Sequence, residues 1–154
     1  MTLQAIFDVT TGRLRAQLGF EGTDCQLGGE WSASEGSPPR VVWVPSEDAF
    51  DGDPKGGTNP SAIYEAAEGF NVHLWGADFD PTRELRSAFL RALHRNAKGS
   101  CRIHRGLWVP ANAGLVREGR LYLLSIAVLV PVTRDPLPTG TPGGVRINPQ
   151  VSAP

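Results

Sequence analysis

Apolar residues recur with the spacing of a helix in the middle of the chain. From Leu85 to Leu93 they fall at i, i+3, i+4, i+7 and i+8, which is one face of an α-helix. Asp80 is the predicted N-cap of this helix, and Pro81 is its first helical residue. Lys98-Gly99, a cation followed by a glycine, marks its predicted end.

A second apolar stripe lies at the start of the chain, where residues 2–18 predict another helix. Its buried side is predicted to consist of Leu3, Ile6, Phe7, Leu14 and Leu18. Residues 19–39 are rich in Gly, Ser, Glu and Pro and show no period, so we expect a loop there. Trp31 is the residue that we expect to fix this loop.

Other segments have the composition or period of strands. Residues 69–75 alternate Phe, Val and Leu with Asn, His and Trp, which predicts a half-buried strand. Residues 40–44 are β-branched and aromatic, and Pro45 is predicted to end the short strand that they form. Residues 100–110 predict another strand. The apolar run 121–132 predicts the central strand, buried on both faces.

The remaining segments predict irregular structure. Residues 45–60 are rich in Pro, Gly and acidic residues and predict a long loop, either a mobile lid or a segment used in contacts. Residues 62–67 predict a single helical turn. Residues 136–154 are rich in Pro and Gly and predict an extended C-terminal arm that does not fold alone.

Together these elements predict an α+β fold. We expect one domain over residues 1–135, with a small, mostly antiparallel or mixed sheet of about four strands and two helices packed on one face. The other face of the sheet would then be covered by solvent or by a neighbouring protein. The 18 glycines and 13 prolines fit a modest core with long connections.

The two signs of charge are segregated along the chain, although the formal net charge is only -1. Acidic residues predominate between positions 21 and 80, and basic residues predominate between positions 83 and 105. Such a chain can pair with itself, within one molecule or between copies. We therefore predict subunit or partner contacts at a basic and an acidic set of residues. The basic set is Arg83, Arg86, Arg91, Arg95, Lys98, Arg102 and Arg105, and the acidic set is Glu47, Asp48, Asp51 and Asp53.

Few residues suggest catalysis or metal binding. None of the histidines has a partner at metal-ligand spacing, and Cys25 and Cys101 form no disulfide framework, which favours a reducing compartment. His73, Asp78 and Asp80 are the candidate site of an enzyme, but interactions with the helix N-terminus already account for both aspartates. We expect no catalytic residue, no metal and no cofactor.

The basic helix predicted at 81–98 leaves a nucleic-acid-binding module as an alternative. The aromatic residues and the partner helix expected for such a module are missing, so a solvated basic face is the simpler interpretation. The sequence has no recognisable signal peptide and no apolar run long enough to span a bilayer as a helix. We therefore expect a soluble intracellular product.

Three stretches taken together resemble a known protein family. They are RVVWVP (40–45), HLWGADFDPTRELRSAFLRALH (73–94) and REGRLYLLSIAVLVPVTRD (117–135). In this order and at these separations they resemble the tail terminator and head–tail joining (neck) proteins of tailed bacteriophages. The resemblance covers residues 40–135.

This resemblance implies a β-sheet flanked by helices and a structural role in the virion. Six copies would close into a ring on the tail tube, end tail polymerisation and present a surface to the neck. The implied partners are sister copies, the tail tube protein and neck or connector proteins, with no membrane and with DNA only passing through the channel. The implied location is the tail–neck junction of a virion assembled in the host cytoplasm. A neck or head-completion adaptor of the same virion is the alternative.

Overall fold

The computed structural model describes residues 2–50, 62–96 and 100–133, with 62–65, 94–96 and 131–133 described by their backbone alone. Two α-helices, a sheet and a short 3-10 helix (Ala111–Ala113) make up this part of the chain. The helices are α1 (Leu3–Arg15) and α2 (Phe79–Asn96). The strands are β1 (Asp24–Leu27), β2 (Arg40–Phe50), β3 (Ala62–Gly76), β4 (Cys101–Trp108) and β5 (Arg120–Thr133). The predicted arm at 136–154 lies outside the described residues.

The sheet has five strands in the order β1-β2-β3-β5-β4. β1 is parallel to β2, and every other neighbouring pair is antiparallel, so the predicted mixed α+β sheet is confirmed. The fifth strand, β1, was missed because its four residues, DCQL, are too few to show a period within a loop of Gly and Glu. The middle strand is β3, and the predicted central strand, β5, is its neighbour.

Pro45 does not end β2, so the prediction that the strand stops at residue 44 and that residues 45–50 belong to a loop was wrong. Residues 51–60 of that predicted loop lie outside the described residues. The strand continues to Phe50, and the pairing register with β3 shifts between Pro45 and Asp48. This shift is a β-bulge, a place where a strand accommodates proline. Gly69 lies opposite the bulge, and a Cβ there would collide with the Glu47 carbonyl. The absence of a side chain at Gly69 therefore lets the bulge fold over β3.

The prediction of a helical turn at residues 62–67 was also wrong. These residues form the start of β3, and Ala66 pairs with Phe50 on one side and with Val130 on the other. Alanine and glutamate are good helix formers, but intrinsic helix propensity differs by less than about 1 kcal/mol per residue, so ladder pairing with two strands outweighs it.

The two predicted helices are confirmed, with changes at their ends. In α2 the capping residue is Asp78, not Asp80: Asp78 O accepts the first helical bond from Thr82 N at 3.0 Å, and Asp78 Oδ1 accepts from Phe79 N at 2.8 Å. Asp80 lies in the first turn, where its charge favours the positive helix end. In α1, Thr2 Oγ1 caps the helix through Ala5 N at 3.1 Å. Leu18, predicted on the buried stripe, follows the helix and is 93% exposed.

The main core lies between the two helices and one face of the sheet, which we call the helix face. Trp43 stands at its centre with ring centroids 5.6–5.8 Å from those of Phe7, Phe70 and Phe89, all at steep angles. Edge-to-face aromatic packing of this kind adds about 0.5–1.5 kcal/mol per pair to the burial itself. The other core residues of this face include Ile6, Leu14, Val41, Val72, Leu74, Leu85, Leu93, Leu124, Ile126 and Val128.

The opposite, helix-free face is covered at one end by the chain itself, an outcome not foreseen from the sequence. Trp31 packs edge-on against Trp75 at 5.6 Å and stacks on His73 at 5.1 Å, while its indole N–H donates to Leu115 O at 2.6 Å. The prediction that Trp31 fixes the 19–39 segment is therefore confirmed. Trp75, Val109 and Leu121 form a second, smaller core beneath it.

Candidate interaction surface

β4 is the edge strand of the sheet and is exposed along most of its length. Every residue from Arg102 to Leu107 is exposed, and the apolar side chains of Ile103 and Leu107 are exposed by 52% and 58%. In the described part of the chain β4 pairs only with β5, so its other edge presents unpaired N–H and C=O groups. Such an edge is a template for pairing with another strand.

The register of β4 against β5 assigns its side chains to the two faces of the sheet. Arg105 lies opposite Ser125 and Leu107 opposite Leu123, which places both on the helix-free face. Arg102, opposite Ala127, belongs to the same face. The register shifts between Ile103 and Arg105, so His104 occupies a bulge. Ile103 lies on the helix face.

A depression of about 360 Å³ lies on the helix-free face, at the end of the sheet away from Trp31. Its walls bring Glu47 of the β2 bulge to the same hollow as Arg102 and His104 of β4. Ser46 and Ser125 add hydroxyl groups to the lining. Members of the predicted acidic and basic sets thus share one surface within a single chain. β2, β3, β5 and β4 bring these residues together by pairing across long sequence distances. Neither segment alone indicates that they share a surface.

The arginines of α2 lie on the other side of the molecule from those of β4. Arg83 Nη1 is 3.7 Å from Asp80 Oδ1, and Arg91 Nε donates to Gln17 Oε1 at 3.1 Å. Arg86 lies over the rings of Tyr122 and Trp108, with its guanidinium carbon 5.0 and 5.8 Å from the ring centroids. Each therefore has a partner inside the chain.

These contacts divide the predicted basic set into two separate groups, one on α2 and one on β4. The groove of about 300 Å³ beside α2 contains Arg83 and Arg91 together with Asp80 and Glu84. Its charge is mixed, which argues against the uniformly positive strip that nucleic acid requires. A basic helix as a nucleic-acid surface is therefore not favoured by the geometry.

The rest of the predicted interface residues are distributed as follows. Asp48 is exposed just after the β2 bulge and pairs directly with Glu68, which places two like charges side by side. Such pairs are unfavourable unless a cation approaches them. Lys98, Asp51 and Asp53 lie outside the described residues, as does the side chain of Arg95. The role of all these residues in an interface stays a prediction.

His73, Asp78 and Asp80 do not form one site. His73 lies on the helix-free face beneath Trp31, only 8% exposed, with Nδ1 3.0 Å from Asn71 O. Burial lowers the pKa of its imidazole below the ordinary value. The two aspartates interact with the start of α2 and with Arg83 instead. The candidate catalytic constellation is thus absent from the described residues.

The two cysteines lie on the two edge strands, Cys25 on β1 and Cys101 on β4, and both are free thiols. Burial raises the pKa of Cys25, and it raises that of Cys101 to about 11, so both stay protonated near neutral pH. Across residues 2–50, 62–96 and 100–133 no group of three His, Cys, Asp or Glu side chains could hold a metal ion. No helix in these ranges is long and apolar enough to cross a membrane.

Comparison with known proteins gave one kind of match. No family model matches the chain, and neither does any curated protein. Among solved structures, the chain is similar to the sheath/tube terminator of PVC, an extracellular contractile injection system, in its extended state, at 16% identity and a TM-score of 0.47. The similarity covers 99% of this chain and 66% of that one, so this chain spans about two thirds of the neighbour's length. A likeness of this size establishes no shared function.

Proposed function

We propose that this chain is a structural virion protein, a tail terminator whose copies form a ring, most simply of six, on the end of the tail tube. The ring ends tail polymerisation and offers a surface to the neck and head. The assignment to tails rests on the three sequence stretches at 40–45, 73–94 and 117–135 that resemble this class. The assignment to assembly rests on the exposed edge strand β4.

β4 is the single observation that carries the proposal. Its outer edge is free in the described chain, and Ile103 and Leu107 expose apolar surface beside Arg102 and Arg105. Soluble proteins usually protect such edges, because an exposed apolar strand invites pairing with other chains. A protein that works by joining sister copies needs a surface of this kind. The aromatic core around Trp43, in contrast, is buried and exposes almost no surface to a partner.

The proposal is tested by deleting the gene for this chain from the genome that carries it and measuring the lengths of the assembled tails by electron microscopy. A terminator predicts tails of uncontrolled length without the chain and normal length when it is restored. Immunogold labelling of the restored particles should mark one end of each tail. Tails of normal length that fail to join heads would instead identify a neck adaptor. Tails that are normal and joined would overturn the proposal.

A further inference from the structure

The sheet has a second edge, β1, and its relation to β4 indicates how copies join. We propose that β4 of one copy pairs antiparallel with β1 of the next, so that one sheet continues from subunit to subunit. This inference rests on the proposed function, because it identifies the contact from which the ring is built. The partner surface is therefore a second copy of this chain.

Strand direction supports this pairing. β1 and β2 run in the same direction, β3 runs opposite to them, β5 runs with β2, and β4 runs opposite to β5. β4 is therefore antiparallel to β1 within one chain. A rotation about an axis along the strands brings β4 of one copy beside β1 of the next in that antiparallel sense, with both helix faces on the same side. A contact between two different edges is head-to-tail, and repeated rotation closes it into a ring.

Charge distinguishes this contact from its alternatives. The β4 edge has the exposed Arg102, His104 and Arg105. At the β1 edge and its flanks exposed carboxylates predominate, although Arg15 lies beside them and donates from Nε to Thr23 O at 2.9 Å. The carboxylates near β1 are those of Glu21, Asp24, Glu30 and Glu35, all exposed. Part of this charge is balanced inside the chain, because the buried Arg40 approaches Asp24 Oδ2 at 3.1 Å and Glu35 Oε1 at 3.7 Å. Even so, the Asp24 and Glu35 side chains stay 56% and 64% exposed, and Glu21 and Glu30 face solvent as well.

The same charges oppose pairing of like edges. If β4 met β4, the arginines of the two copies would lie close together, and like charges across a strand pair are unfavourable. That arrangement would also be twofold and would end at a dimer. The arginines and the His104 bulge thus disfavour pairing of β4 with another β4 and leave an acidic edge as the preferred partner. Specificity of this kind comes from repulsion of the incorrect partner.

The register of the sheet identifies which residues should meet. Gln26 of β1 pairs with Val42, Val42 with His73, His73 with Leu123, and Leu123 with Leu107 of β4. Gln26 and Leu107 are therefore on the same level of the sheet, on the helix-free face, and both are exposed. In an edge-to-edge contact without stagger they are opposite each other. A stagger of two residues along β4 brings Arg105 opposite Gln26 instead.

Disulfide cross-linking of the full chain tests this contact. In a background of Cys25→Ser and Cys101→Ser, Gln26→Cys is combined with Leu107→Cys or Arg105→Cys, and the purified assembly or the assembled tail end is mildly oxidised. Directly opposed strand positions have Cβ atoms about 4.5–5.5 Å apart, so a small shift of the strands brings them to the roughly 3.5–4.5 Å of a disulfide. We expect a ladder of covalent oligomers beyond the dimer on a non-reducing gel, ending at the ring size. Gln26→Cys with Arg83→Cys on α2 is the matched control and should give no ladder.

The outcomes separate this inference from the proposed function. A covalent dimer from Leu107→Cys alone would show that β4 meets β4 and would overturn the pairing. A ring that forms and controls tail length, yet gives no ladder from either double variant, would overturn the pairing while the terminator function stands. If gene deletion leaves tails of normal length that are joined to heads, the proposed function itself is wrong.

Discussion

The two faces of this sheet are completed in different ways. On the helix face, α1 and α2 bury a continuous apolar core, in which Ile6, Leu14 and Phe89 have almost no exposed surface. On the helix-free face, Trp31 covers one end, and the other end holds a polar depression beside the exposed strand β4. The residues that stabilise the fold and the residues that are free to contact a partner therefore lie in different parts of the sheet. Substitutions on the two sides should therefore have different consequences.

The largest effect is expected from the centre of the helix face. Phe89→Ala removes a buried ring that packs edge-on against Trp43 at 5.7 Å and should lower the free energy of unfolding by about 3–5 kcal/mol. Leu107→Ala is the matched control on β4, where the side chain is 58% exposed, and it should cost less than about 1 kcal/mol. Urea denaturation of both variants measures the contrast. An equal decrease in the free energy of unfolding for the two variants would contradict the proposed difference between the helix face and β4.

A smaller effect is expected from the covered end of the helix-free face. Trp31→Ala removes the stacking on His73, the edge contact with Trp75 and the hydrogen bond to Leu115 O. Because Trp31 is only partly buried, we expect a loss of about 2 kcal/mol. Hydrogen exchange of the Trp75 indole N–H, which donates to Glu118 O at 2.8 Å, should become faster. Unchanged exchange would mean that Trp31 does not protect this core.

We expect the buried His73 to make the stability of the folded chain sensitive to acid. Because burial lowers its pKa in the folded chain, the unfolded chain binds protons more readily. The contribution of neutral His73 is complete above its unfolded pKa of about 6.5 and is lost as the pH falls through its folded value. The free energy of unfolding should thus fall more steeply toward acid pH in the wild type than in His73→Phe, which keeps an aromatic ring beneath Trp31. Parallel curves would show that His73 does not titrate in this range.

The smallest effect on stability is expected from the arginines of the open edge. Arg102→Ala with Arg105→Ala should change the free energy of unfolding by no more than about 0.5 kcal/mol, because both side chains are exposed. The same double variant should assemble less well if β4 meets the acidic edge of a sister copy. Arg83→Ala with Arg91→Ala on α2 is the control, and sedimentation compares the two. If the β4 and α2 double variants assemble equally well, the arginines of β4 have no special role in the contact between copies.

Elements with a strong local period could be predicted from the sequence. The apolar face of α2, the alternation in β3 from Gly69 to Trp75 and the apolar run of β5 each have a regular spacing that local physics dictates. The misses occur where pairing with distant strands decides the outcome. Pro45 stays within β2 because a bulge lies opposite Gly69, and neither residue alone indicates this.

Charged residues of the candidate surface could be singled out from the sequence, but their positions relative to one another could not. From charge alone the sequence predicted Arg102, Arg105 and Glu47 as contact residues, a role that stays a prediction. It could not indicate that Glu47 and Arg102 line one depression, or that the arginines of α2 have partners inside the chain. Those facts follow from strand order, which brings residues more than fifty positions apart together. His73 was predicted on a polar strand face because Trp31, which covers it, belongs to a distant loop.

The central claim is that this chain works by joining sister copies through its β4 edge, and native mass measurement tests it most directly. The purified full chain, alone and in the presence of tail ends, should form a closed oligomer of the 16.5 kDa subunit, with six copies expected. Leu107→Glu should yield single subunits with an unchanged unfolding midpoint. A wild type that remains a single subunit under both conditions, or a Leu107→Glu variant that assembles as well as the wild type, would contradict the claim.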